Sequence, residues 1–309
     1  LMATAVLPET TRALYPFTSR FLALSDGQRM HYVDEGPQDG EPLVFLHGYP
    51  MWSFAYRALI IYYAALGYRC VAMDHIGYGL SDKPMSRSYH TLRRHIHNVL
   101  ECMATLDLRQ VTLIMEDWGT AFGLGYAVRR SENIRRLVIM NSWVFQDTFD
   151  HRLPLLVRLV TWPGIGELAL GVLNLAFPLG LQHWTARQLS AGVMTAYRAP
   201  FREARQRMAL VQFPRMISVA PHHPSAEMMR EIEGGLNTLY KTPALIVWGQ
   251  EDPIFSPELA HHWKKALPRA RGPHFIAGAR HFLSEDEPGR LTQLLDAFLA
   301  ETPAAAEPL

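Results

Sequence analysis

The sequence predicts an α/β fold, a mostly parallel sheet with a helical module inserted in it, and three observations carry that prediction. Short apolar and β-branched runs alternate with segments of helical spacing over residues 43–141 and again over 244–299. From about residue 144 to 240 no run reads as a strand, and helix-like segments are punctuated by Pro154, Pro163, Pro178, Pro200, Pro214, Pro221 and Pro224. The 309 residues are 49% hydrophobic, enough to fill one large core. The expected division is a core of residues 1–143 and 241–309 around an insertion of residues 144–240.

Each element has its own warrant. Residues 21–25 and 29–34 flank Asp26-Gly27, and Asp-Gly supplies the positive φ angles of a tight turn, so the chain opens on an antiparallel hairpin. Residues 43–47 and 69–74 read as strands joined by a crossover helix near 59–66. Leu92, Ile96, Val99, Leu100, Met103 and Leu106 recur at helical spacing and place a helix within 89–108. Residues 111–115 form a continuous apolar run, the pattern of a strand buried on both faces, and 137–141 follow as the next strand. Beyond the insertion come a strand at 244–248, a helix near 257–267, a short strand at 274–276 and a closing helix over 285–299.

Charge excludes several partners. Thirty Lys and Arg against 29 Asp and Glu leave a net charge of +1, with no basic field to gather nucleic acid. The first seven residues do not read as a secretory leader, and the most apolar stretch, 164–181, contains Glu167 and Pro178 and is short for a span of about 20 residues. Cys70 and Cys102 read as small buried hydrophobes rather than a disulfide framework. A soluble, cytoplasmic protein with no membrane partner is the expectation.

The chemistry centres on Asp117. It falls where the run 111–115 gives way to Gly119-Thr120-Ala121-Phe122-Gly123, and small residues at that junction let strand and helix approach in a tight nucleophile elbow. Asp is also a favoured helix N-cap, which is the plainer reading of this stretch taken alone. In open α/β sheets, functional groups collect beyond the carboxyl ends of strands. The same rule selects Asp252, after the strand at 244–248, and His281, after the strand at 274–276. Singly, Asp252 reads as a turn residue before Pro253, and His281 as one loop histidine among 14. The order Asp117, Asp252, His281 is the nucleophile, acid, base order of α/β hydrolases. The backbone N–H groups of Tyr49 and Trp118 are placed to form an oxyanion hole. The pairs His222-His223 and His261-His262 lack the carboxylate or Cys spacing of a metal site, so neither metal nor cofactor is expected.

These residues carry a family resemblance over nearly the whole chain. The segment His47-Gly48-Tyr49-Pro50-Met51-Trp52-Ser53-Phe54-Ala55-Tyr56-Arg57 is similar to the HGNPTWSFLYR-type segment of haloalkane dehalogenases. Residues 74–84 resemble that family's DxxGxGxSDKP segment, Asp117-Trp118-Gly119 its elbow, and His281-Phe282-Leu283-Ser284-Glu285-Asp286 the segment with its base. The resemblance implies an α/β-hydrolase fold with a helical cap between the sixth and seventh strands. It also implies cleavage of a carbon–halogen bond through an ester on Asp117, which water activated by His281 then hydrolyses. Trp118 matches the indole that stabilises departing halide, but Tyr49 stands where Asn often supplies a second donor, and Glu116 where Gln or His commonly precedes the nucleophile. The family's alternative acid position falls near Asn141, which has no charge to offer. A cap Trp, either Trp162 or Trp184, is the other source of a second donor.

The same triad serves epoxide hydrolases, for which Tyr197 and Tyr240 are the candidate lid acids, and β-lactone decarboxylases that resemble dehalogenases. A non-catalytic receptor on the same fold is the reading from another class, although no triad member is missing. The expected ligand is a small hydrophobic molecule, with water as co-substrate.

Overall fold

Strand β5, Val111–Glu116, runs through the middle of the sheet with all six residues buried, as its continuous apolar run predicts. The computed structural model describes residues 7–145, 154–217 and 222–302; Pro221 and the tail beyond 302 fall outside them. Among the described residues the other strands are β1 (Arg20–Ala23), β2 (Arg29–Glu35), β3 (Pro42–Leu46), β4 (Arg69–Met73), β6 (Ile134–Met140), β7 (Ala244–Gly249) and β8 (Ala270–Ile276). Their order across the sheet is β1-β2-β4-β3-β5-β6-β7-β8. The predicted hairpin pairs β1 with β2 in register Arg20 to Tyr32, with Gly27 at φ +83° in the turn. β2 meets β4 antiparallel, and every pairing from β4 to β8 is parallel.

Two helices set the approach behind β5. The helix Leu92–Thr105 starts at Thr91, whose side chain accepts from the Arg94 N–H, and buries Leu92, Ile96, Val99 and Met103. It packs on the wholly buried helix Trp118–Ala127, where Gly125 leaves room for Ile96: a Cβ there would stand 2.5 Å from the Ile96 side chain. The elbow itself is set by Gly119, whose missing Cβ would lie 2.0 Å from the carbonyl oxygen of Leu46 on β3.

Between β6 and β7 the described elements are all helical. They include Leu155–Thr161, two π-helical turns at Glu167–Val172 and Ala176–Leu181, then Ala191–Arg198, Met208–Arg215 and Ala226–Gly235. This segment is pinned to the sheet end by specific contacts. Tyr78 of the loop after β4 packs at a tilt on Phe213 with ring centroids 4.6 Å apart, and Asp286 accepts from the Ala186 N–H at 2.7 Å. No helix among the described residues is long and apolar enough to cross a membrane.

Two elements differ from expectation. β8 begins four residues earlier than the predicted short strand, because the parallel edge pairing with β7 takes in the polar Arg271 and the strand-breaking Gly272-Pro273 through an irregularity in register between Leu245 and Val247. The closing helix is two, Leu283–Asp286 and Pro288–Glu301, because Pro288 starts a fresh helix rather than continuing one.

Candidate active site

Asp117 holds φ +51° and ψ −123°, a left-handed backbone that a non-glycine residue adopts only under constraint. Its peptide N–H donates to the Asn141 carbonyl at 3.2 Å, which fixes the elbow against the end of β6. The Tyr49 N–H donates to Oδ1 at 2.9 Å, and the Trp118 N–H also bonds to the carboxylate. Close approach of the Tyr49 loop depends on Gly48, since a Cβ there would lie 2.5 Å from the Asp117 Cβ. Burial raises the Asp117 pKa; His281 and the two peptide donors pull it back, and Asp252 adds to the rise. Asp117 stands at the N-cap position of the helix, but its side chain bonds the Trp118 N–H at the helix start and makes no cap bond to the N–H groups further in, so capping is not what its carboxylate does.

His281 is buried and sits between two carboxylates. Its Nδ1 pairs with Asp252 Oδ2 at 3.0 Å, while Nε2 faces Asp117 Oδ2 at 3.7 Å, too far for a hydrogen bond. Asp252 is oriented in turn by the N–H groups of Ile254 and Phe255, which donate to Oδ1 at 2.8 and 3.1 Å. Burial alone would lower the His281 pKa, but Asp252, its hydrogen bond, Asp117 and Glu116 outweigh it and bring it up to about 9. The His281 N–H donates to the Trp184 carbonyl at 3.0 Å, so the helical segment helps place the imidazole.

Asn141, at the family's alternative acid position, has another occupation. Nδ2 donates to the carbonyls of Arg280 and His281 at 2.9 and 2.7 Å, and Oδ1 accepts from the Gly249 N–H at 2.9 Å. One side chain thus ties together the ends of β6, β7 and β8. Gly249 is required here, because a Cβ would fall 1.9 Å from the Arg280 carbonyl oxygen.

Above Asp117 lies a cavity with about 750 Å³ of empty space, its open mouth included. Asp117, His281, Tyr49 and Trp118 line its floor, and the walls are apolar side chains such as Val157, Leu170, Leu179 and Ile217 of the helical segment. Of the predicted binding residues Trp184 lines the cavity, its ring 6.3 Å from that of His281, while Trp162 is 59% exposed and does not. Neither Tyr197 nor Tyr240 reaches it. Tyr197 donates its hydroxyl to Glu285, which Arg57 also pairs, and Tyr240 is 53% exposed. Both lid acids of the epoxide reading are therefore elsewhere.

Trp143 and Phe255 also line the cavity and were not singled out in the sequence. Trp143 packs edge-on against Trp118 with centroids 5.0 Å apart and stacks on Phe255 at the same separation. Trp143 follows β6 by three residues, so the strand-end rule that selected Asp252 was a signal for it too. Among the described residues no group of three or more His, Cys, Asp or Glu could hold a metal ion.

An elbow carboxylate backed by a His–Asp pair on a parallel sheet defines an α/β-hydrolase, and the family profile for the alpha/beta hydrolase fold matches residues 41–288. The chain belongs to that family and is an enzyme of that type. Among its relatives are a cis-3-alkyl-4-alkyloxetan-2-one decarboxylase of Shewanella oneidensis, 33% identical over 95% of this chain and 92% of that protein, and a haloalkane dehalogenase of Mycobacterium marinum, 34% identical over 90% and 93%. An ancestral haloalkane dehalogenase structure superposes with a TM-score of 0.82 at 28% identity, covering 93% of this chain and all of the other.

Proposed function

We propose that this enzyme displaces a leaving group from sp³ carbon with Asp117 as nucleophile, forms an alkyl ester on that side chain, and hydrolyses the ester, with halide as the leaving group. The observation that carries this reading is the arrangement of Asp117 on the cavity floor. Oδ1 lies against the Tyr49 N–H, which leaves Oδ2, on the His281 side, as the attacking oxygen. As its new C–O bond forms, the carbon–halogen bond breaks and halide departs with the bonding pair beside the Trp118 indole.

Hydrolysis then uses His281. His281 Nε2 takes a proton from water, the hydroxyl oxygen attacks the ester carbonyl, and the oxyanion rests on the Tyr49 and Trp118 N–H groups. Collapse breaks the bond to the alkoxide, which takes the proton from His281 and leaves as the alcohol, and the re-formed Asp117 acid gives up its proton to solvent. Asp252 holds the imidazole tautomer with Nε2 free and balances the imidazolium charge. In this reading the helical segment 144–240 is a cap that excludes water and supplies an apolar wall, the substrate is small and hydrophobic, and no cofactor is needed. The buried thiols Cys70 and Cys102 are free and support a reducing, cytoplasmic setting.

A second reading has its own support in Tyr49. It stands at the sequence position where an Asn amide would cradle halide, and a cis-disubstituted oxetan-2-one needs no such cradle because its leaving carboxylate is part of the substrate. Breaking the ring C–O bond and the C–C bond to the carboxyl carbon would give an alkene and carbon dioxide without consuming water. The relative from Shewanella oneidensis carries that activity in its name. The test is bromide release from bromoalkanes of graded length beside alkene release from a cis-3,4-dialkyl β-lactone, each with Asp117→Ala as control. Bromide lost in the variant supports the first reading; alkene without bromide replaces it with the second. Neither product from folded protein contradicts both.

A further inference from the structure

Glu116 ends β5, directly before the nucleophile, and its side chain is completely buried. Oε1 accepts the Leu283 N–H at 3.2 Å, and Oε2 has no hydrogen-bond partner among the described residues. An ionised carboxylate would leave a charged oxygen unpaired in the protein interior, and a buried acid in that position takes up a proton instead. The charged groups that face it divide: Asp117 and Asp252 are like charges that favour the neutral form, and His281 is a cation that opposes it, with the phenols of Tyr56 and Tyr197 also close by.

We propose that Glu116 is a positioning residue that works as a neutral carboxylic acid, fixing the turn after His281 and keeping a third negative charge away from the imidazole. The inference rests on the alkyl-ester reading for its use, though not for its protonation. In the free site Asp252 and Asp117 favour the imidazolium, as Glu116 would if it were ionised. Esterification removes the Asp117 charge. His281 must then stand neutral to accept a proton from water, and an ionised Glu116 would keep it protonated. Burial, with the two Asp charges adding to it, raises the Glu116 pKa to about 8 against the opposing pull of His281 and the Leu283 bond. The neutral form therefore holds at neutral pH and is lost on the alkaline side.

The test compares native protein with E116Q, E116D and E116A, each checked for folding by circular dichroism. Infrared difference spectra without substrate should show a protonated-carboxyl C=O band at pH 6.5 that fades as pH rises through about 8 and is absent in E116Q. The hydrolytic rate, followed with 1-bromohexane, should fall about tenfold in E116A and be rescued in E116Q, which also loses the alkaline decline near pH 8. E116D, one methylene shorter, should keep the band and slow turnover by weakening the Leu283 bond. A native spectrum at pH 6.5 with no band attributable to Glu116, or identical alkaline limbs in native and E116Q, overturns the proposal. Because the infrared arm needs no substrate, a protein that shows the band but forms no ester sinks the alkyl-ester reading alone.

Discussion

Nδ2 of Asn141 donates to the carbonyl of His281 at 2.7 Å, so the residue that follows β6 holds the turn that places the imidazole. Its Oδ1 binds the Gly249 N–H on the path to Asp252. Removing this side chain would strand two carbonyls and one N–H in the interior. Asn141→Ala should cost about 3 kcal/mol of stability and slow ester hydrolysis more than ester formation, measured by thermal denaturation and by burst kinetics. An unchanged Tm would show that the three bonds are not what holds the strand ends together.

The nucleophile depends equally on a residue with no side chain. Gly48→Ala would drive a Cβ to 2.5 Å from that of Asp117 and push the Tyr49 N–H off its line. Activity should drop by at least about 10²-fold, because sub-ångström placement governs attack and oxyanion binding. The fold should survive with a modest loss in Tm, since the loop can yield where the chemistry cannot.

Tyr49 separates the two substrate readings. Tyr49→Asn keeps the backbone donor and adds a side-chain amide at the cavity floor, so bromide release should rise about tenfold if halide departure is limiting. A fall in lactone turnover with no gain in bromide would assign the tyrosine to the other chemistry.

Stability should peak near pH 6.5. His47, His75, His90 and His95 are buried and their pKa values are lowered by that burial, His90 to about 4. Their neutral forms bind fewer protons than the unfolded chain does, so stability is lost as pH falls below about 6.5. Asp74 acts in the same direction: burial opposes its charge, but His31, His47 and backbone donors hold its pKa well down. Glu116 and His281 have the opposite sign, raised to about 8 and about 9, and what they contribute is lost as pH rises through those values. Melting curves from pH 4 to 9.5 should trace a dome; a Tm that rises steadily to pH 9 would contradict the assignment of both raised groups.

The parts of the candidate site that sit at strand ends were legible from residue order together with the flanking motifs. Asp117, Asp252 and His281 each follow an apolar run, and the glycines around the elbow mark where backbone must approach backbone. Trp184 was legible only as one of two candidates, because nothing local distinguishes a Trp that faces a cavity from Trp162, which faces solvent. The epoxide-type assignment of Tyr197 failed for a related reason: its partner Glu285 is 88 residues away in sequence, and only the tertiary fold brings them together. Glu116 could be seen as unusual but not understood, since the absence of a partner for Oε2 is a property of the packed interior. β8 was read too short because edge pairing tolerates the polar residues that hid its start.

The central claim is that Asp117 becomes covalently alkylated and that His281 is needed only afterwards. His281→Phe incubated with 1-bromohexane and examined by intact and peptide mass spectrometry tests it directly. The account predicts one hexyl group per chain on the peptide carrying Asp117, one equivalent of bromide, and no further turnover. Continued turnover with no adduct, or an adduct on any other residue, would contradict it.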